Sequence, residues 1–180
     1  MHLQRTLIVC ERTDQWAVGL RQALSQASSN YADLSRSEPS NSKAGRDAAR
    51  GANESSAAFA LASRGEVRLI ETRTPADCLA ALADAPHAVV AVELRPADCD
   101  EALSLLSAVS ERYAGACVIL VAAREMASYE WLARELGAAH FVSSPRRLHG
   151  VAEVASRHWA NLPTPALGTA ETVWATLPWK

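Results

Sequence analysis

The chain has 180 residues, 49% of them apolar and 21% charged, with a formal net charge of -2. That is enough for one domain with a substantial core, with or without flexible additions. A charge so close to neutral gives no footprint for nucleic acid or an anionic membrane, and no apolar run approaches the roughly 18 residues that span a bilayer. The stretch Leu7-Ile8-Val9 is too short for the core of a signal peptide, so the cytoplasm is the expected compartment.

In chain order, residues 6–10 read as a short apolar strand. A helix follows from Thr13 or Asp14, either one a plausible N-cap, with Trp16, Leu20 and Leu24 on one face. Residues 25–65 are dominated by Ser, Ala, Asn, Arg and Gly. Such a composition cannot bury enough apolar surface to offset its ordering entropy, so the segment reads as a disordered insertion. Residues 67–71 form a second strand. Thr74-Pro75-Ala76-Asp77 then supplies a cap, a first-turn proline and an acid for a second helix carrying Cys78, Leu79 and Leu82. The unalternating apolar run 88–93 suits a strand buried on both faces. A third helix spans about 99–113, with Leu103, Leu106 and Val109 inward, and a fourth strand covers 117–122. A fourth helix begins near Ser128 and stops at Gly137. Strand five is 140–143, and a last helix runs from about Arg147 to Trp159. Residues 161–180 form a tail that opens on Pro163 and Pro165.

Five strand–helix repeats imply a three-layer α/β/α sandwich around a five-stranded parallel sheet with right-handed crossovers. A nucleotide-binding version needs a glycine-rich turn after the first strand, and here that turn is Cys10-Glu11-Arg12-Thr13-Asp14. The other version is the flavodoxin-like sheet of order 2-1-3-4-5. The five histidines and the four cysteines (Cys10, Cys78, Cys99, Cys117) show no metal-ligand spacing. Neither a metal nor a cofactor is expected, and the cysteines read as small buried hydrophobes. Cys10 sits beside Glu11 and Asp14, whose charges are expected to raise its thiol pKa.

In such a sheet, chemistry belongs at the carboxyl ends of the strands. Gly137-Ala138-Ala139-His140-Phe141-Val142-Ser143-Ser144-Pro145 resembles the signature that closes strand five of response-regulator receiver domains. Residues 6–11 are similar to receiver strand one, 117–123 to strand four, and 86–96 to strand three. The resemblance covers 6–24 and 66–159 and implies two-component signal transduction, with phosphoryl transfer to an aspartate. It also implies positions for an acid pair, an acceptor, a hydroxyl and a lysine. In this chain they fall on Cys10 and Glu11, on Val92 or (by a slide of one) Glu93, on Ala122, and on Ser144. Most of that chemistry is missing, so the expectation is a degenerate pseudo-receiver with no catalytic residue. A fixed Glu93 carboxylate would mimic a permanent signal; alternatively Glu93 is solvated and pairs with Arg95 or with nothing.

The resemblance places an output surface on helix four, strand five and helix five, where Trp131, Arg146, Arg147 and Trp159 stand as partner-binding candidates. The tail adds Val173, Trp174, Leu177 and Trp179, a docking-type peptide or a cover for the domain's own apolar surface. The leading expectation is a phosphorylation-independent adaptor that binds a signalling protein, with homodimerisation also open. A small enzyme or ligand binder using Glu11, Glu93 and Cys10 is one alternative, and a self-assembling structural subunit is another.

Overall fold

The computed structural model describes residues 4–34 and 67–162. Most of the 25–65 segment and nearly all of the tail, including Val173, Trp174, Leu177 and Trp179, lie outside the described residues. The first helix continues to Leu34, past the last residue of its apolar face at Leu24.

The strands are β1 (Arg5–Cys10), β2 (Val67–Thr72), β3 (Val89–Leu94), β4 (Cys117–Ala122) and β5 (His140–Val142). The helices are α1 (Gln15–Leu34), α2 (Pro75–Asp84), α3 (Cys99–Arg112), α4 (Glu130–Glu135) and α5 (His149–Asn161). All pairings are parallel and the sheet order is β2-β1-β3-β4-β5, as the alternation of elements implied. β1, β3 and β4 occupy the centre and are buried almost throughout. This is why their sequences are continuous apolar runs rather than alternating ones.

The pleat divides these runs between two cores. Ile8, Cys10, Val90, Val92, Leu94, Val118, Leu120 and Ala122 pack on one face against α2, α3 and α4, through Cys78, Leu82, Leu106 and Ala133. Leu7, Val9, Val89, Ala91, Ile119 and Val121 pack on the other against α1 and α5, through Trp16, Leu20, Val151 and Ala155. Trp159 belongs to this second core and is only 8% exposed. It is therefore removed from the partner-binding candidates, because the indole completes the packing between α5 and the sheet.

Two helix ends follow from local sequence. Thr74 caps α2: its side chain accepts from the Asp77 N–H at 3.2 Å and donates to the Asp77 carboxylate at 2.7 Å, with Pro75 in the first turn. At the end of α4, Ala138 N–H bonds the Ala133 carbonyl and Gly137 N–H bonds that of Arg134, with Gly137 at φ +101°. That is a Schellman closure, and it needs a residue that tolerates positive φ. Helix four is shorter than its apolar pattern suggested, because residues Arg124–Tyr129 wind as a 3-10 turn before the α-helix begins.

Candidate functional site

The carboxyl ends of β1 and β3, the turn after β2 and the start of α3 line a small hollow that opens to solvent. Cys10, Glu11, Val92 and Glu93 all line it. Register explains the meeting: β1 and β3 are adjacent, with Cys10 opposite Val92. Ala122 lies one strand further, opposite Leu94, fully buried in the same core layer as Cys10 and Val92. Ser144 stands apart, capping a 3-10 turn (Pro145–Arg147) by accepting from the Arg146 N–H at 3.4 Å.

Glu11 is only 2% exposed. Its Oε2 accepts from the Trp16 N–H at 2.7 Å and its Oε1 from the Ala17 N–H at 2.9 Å. A carboxylate thus closes the N-terminus of α1, where orphan amides and the helix dipole favour negative charge. The expected caps, Thr13 and Asp14, do not take this role. Asp14 occupies the left-handed region at φ 57° and pairs with Arg73, while the Thr13 hydroxyl donates to Glu93 Oε1 at 2.7 Å. The second oxygen of Glu93 accepts from the Arg12 N–H at 2.8 Å. Glu93 therefore neither pairs with Arg95 nor stands unpaired: it ties β3 to the β1–α1 loop.

The mouth of the hollow holds guanidinium groups that sequence reasoning had not brought there. Arg12 bridges Asp98 at 3.2 Å and Glu101 at 2.9 Å. Arg95 meets both oxygens of Asp98, at 3.2 and 3.0 Å. Arg73 donates to the Glu11 carbonyl at 3.2 Å. Both lysines of the chain, Lys43 and Lys180, lie outside the described residues. Among the described residues, no group of three metal-ligating side chains gathers.

The floor of the hollow carries a second unanticipated feature. Cys10 and Cys78, on β1 and α2, belong to the same core layer, and Thr72 stands opposite Cys10 on β2. The Cys10 thiol is pushed down to about 7, chiefly by the hydrogen bond from Cys78, which outweighs the opposing cost of burial; Thr72 and Arg12 push the same way and Glu101 opposes. The expectation that acidic neighbours raise this thiol is thus corrected: the shift is downward, and Glu11 directs its charge at the α1 amides. Cys78 is pushed up by the same bond, by burial and by the charge of Cys10. The signal in the sequence was faint: α2 begins where β2, the neighbour of β1, ends.

Trp131 is 71% exposed on α4, and Arg146 and Arg147 are exposed after β5, so these three candidates present their side chains to solvent. No helix among the described residues is long and apolar enough to cross a membrane.

No protein-family model matches the sequence, and no curated protein does. Solved structures do. A CheY-like protein (tadZ) from Pseudomonas aeruginosa PAO1 superposes with a TM-score of 0.57 at 11% identity, over 91% of this chain and 99% of that one. A response regulator in red light signaling of R. palustris gives 0.48 at 14% identity, over 86% of this chain and 91% of that one. The Mn(2+)-bound form of response regulator Rcp1 gives 0.43 at 12% identity, over 90% of this chain and 99% of that one. The first of these, with the 2-1-3-4-5 parallel sheet, establishes the fold: this chain has the CheY-like, flavodoxin-type α/β fold.

Proposed function

We propose that this chain is a phosphorylation-independent receiver-like adaptor that acts in the cytoplasm by binding a signalling protein. One observation carries the proposal. Where β1 and β3 meet, the two positions on which a receiver's acceptor falls are Val92, opposite Cys10 and without a carboxylate, and Glu93, already hydrogen-bonded to the β1–α1 loop, while the Glu11 carboxylate is hydrogen-bonded to the first amides of α1. Aspartyl phosphorylation needs a free acceptor, a cation site and donors for the transferred group. Glu11 has both oxygens on helix amides, so neither is free for a divalent cation. Ala122 offers no hydroxyl, and the charge at the mouth is balanced internally by Arg12 with Asp98 and Glu101. The same engagement argues against the ligand-binder alternative built on Glu11 and Glu93.

Glu93 gives the adaptor its constitutive character. By holding the Arg12 amide and the Thr13 hydroxyl, its fixed carboxylate ties β3 to the β1–α1 loop. Partner contact is assigned to Trp131, Arg146 and Arg147, because a large exposed indole and exposed arginines are the side-chain types that dominate protein interfaces.

Two measurements test the proposal. Incubation of the full chain with Mg²⁺ and acetyl phosphate leaves its intact mass unchanged; a stable phosphate adduct refutes phosphorylation independence. Trp131→Ala abolishes capture of the partner while shifting unfolding free energy by less than about 0.5 kcal/mol, the usual range for surface positions. Undiminished capture removes this face from consideration.

A further inference from the structure

We propose that the outer edge of β2 is a strand-docking site for this chain's own tail, with residues 172–177 adding to the sheet parallel to β2.

β2 ends the sheet. It pairs with β1, and among the described residues nothing pairs with its other side. The backbone groups on that side need water or another strand, and an edge of six residues is long enough to act as a template. Its side chains are incompletely covered as well. Leu69 and Ile70 stand opposite Leu7 and Ile8 of β1. The β1 pair is fully buried, whereas Val67, Leu69 and Ile70 are only half-buried. Val67 and Leu69 lie on the α1–α5 face and Ile70 on the opposite one, so both faces are open at this edge. The other edge of the sheet offers less, because β5 has three residues and its Phe141 and Val142 are already buried.

The occupant is chosen by sequence, reach and charge. Residues 163–180 lie outside the described residues. Within them, Thr172-Val173-Trp174-Ala175-Thr176-Leu177 is uncharged, matches β2 in length, and is rich in β-branched and aromatic side chains up to Pro178. On a strand, Val173, Ala175 and Leu177 share one face and Trp174 takes the other, which brings apolar cover to both sides of β2. The tail also starts at the right end of the sheet. His158, in the last turn of α5, has its Nε2 3.0 Å from the carbonyl of His87, two residues before β3. α5 therefore delivers the chain at the amino ends of the strands. A strand that begins there and runs beside β2 is parallel to it, like every other pairing in the sheet. The position outside β2 is three strand spacings from β3, about 15 Å. Residues 163–171, fully extended, reach roughly 30 Å. Charge fits the same direction. Glu71 is already paired with Arg21, whereas Arg68, exposed near the amino end of β2, makes no ion pair among the described residues, and Glu171 directly precedes the docking segment. An edge covered in this way is closed to strand addition by other chains.

The test is hydrogen–deuterium exchange on the full chain, read by peptide mass spectrometry. In the wild type, residues 171–177 exchange more slowly than free chain by about tenfold or more. The double variant Ala175→Pro/Thr176→Pro keeps Val173, Trp174 and Leu177 but removes two adjacent N–H groups. Adjacent amides of a strand alternate in direction, so one of the two must face β2. The variant is expected to lose the protection at 171–177 and to speed exchange of 67–72, while β4 (117–122) exchanges as before. Ala166→Pro, in the spacer, leaves all three regions unchanged. Free-chain exchange of 171–177 in the wild type overturns the proposal. So does loss of protection in the double variant with no change at 67–72, which places the tail on another surface. Protection of 171–177 that rises with protein concentration assigns the strand to a second copy and likewise overturns it.

Discussion

Replacing Glu11 by alanine tests whether this residue is a structural cap or a reserve metal ligand. Its carboxylate is 2% exposed and receives two short bonds from the Trp16 and Ala17 amides. Losing an N-terminal cap costs about 0.5–2 kcal/mol. A buried charge at a helix N-terminus is worth up to about 2 kcal/mol. Each amide left buried without an acceptor adds about 1–3 kcal/mol. These contributions overlap, so Glu11→Ala is expected to lose about 3–4 kcal/mol, a large part of the roughly 5–15 kcal/mol that holds a domain folded. Glu11→Gln keeps one acceptor oxygen but loses the charge and turns an NH₂ group toward an amide; about half that loss is expected. Urea unfolding followed by far-UV circular dichroism gives both values. A loss under about 1 kcal/mol for Glu11→Ala, with unchanged denaturant dependence, refutes the cap. Excess Mg²⁺ supplies the second arm: a ligand that binds only the native state raises the midpoint, and none is expected here.

Two other outcomes follow from local geometry. Gly137→Ala places a methyl at φ +101° and against the Ser110 hydroxyl, which itself donates to the Leu136 carbonyl at 2.9 Å; a loss of about 1–3 kcal/mol in thermal or urea unfolding is expected. A neutral result means the α4–β5 turn can be rebuilt without glycine. His140 titrates below its ordinary value, first through burial and then through Arg134, with Glu130 and Glu153 opposing. Because the unfolded chain takes the proton first, stability is full above the unfolded pKa near 6.5 and declines as pH falls through that value toward the folded one. Melting temperature measured from pH 8 to 5 declines less steeply in His140→Gln than in the wild type; parallel profiles remove His140 from the acid response.

The sheet was legible because its central strands are buried on both faces and so must be written as unbroken apolar runs. Leu7-Ile8-Val9 and Val118-Ile119-Leu120 could be read without coordinates. Local chemistry was equally plain where cap and capped group are neighbours in sequence, as in Thr74 with Asp77, or where one φ angle demands glycine, as at Gly137. The candidate positions Cys10, Glu11, Val92 and Glu93 were also found in sequence, since the strand ends of such a sheet must converge.

What those side chains do there was decided by tertiary structure. Glu11 looked like the surviving member of an acid pair and became a helix cap, because α1 turns its first amides back toward the end of β1. Glu93 and Arg12 found partners 81 and 89 residues away, separations across which charge patterning carries no information. Trp131 and Trp159, equal candidates on paper, parted when packing left one in solvent and closed the other into the core. Cys10 and Cys78 share a core layer only because β2 lies beside β1 and α2 follows it on that face of the sheet. Composition and periodicity fix which residues are buried; only the assembled sheet fixes which buried groups touch.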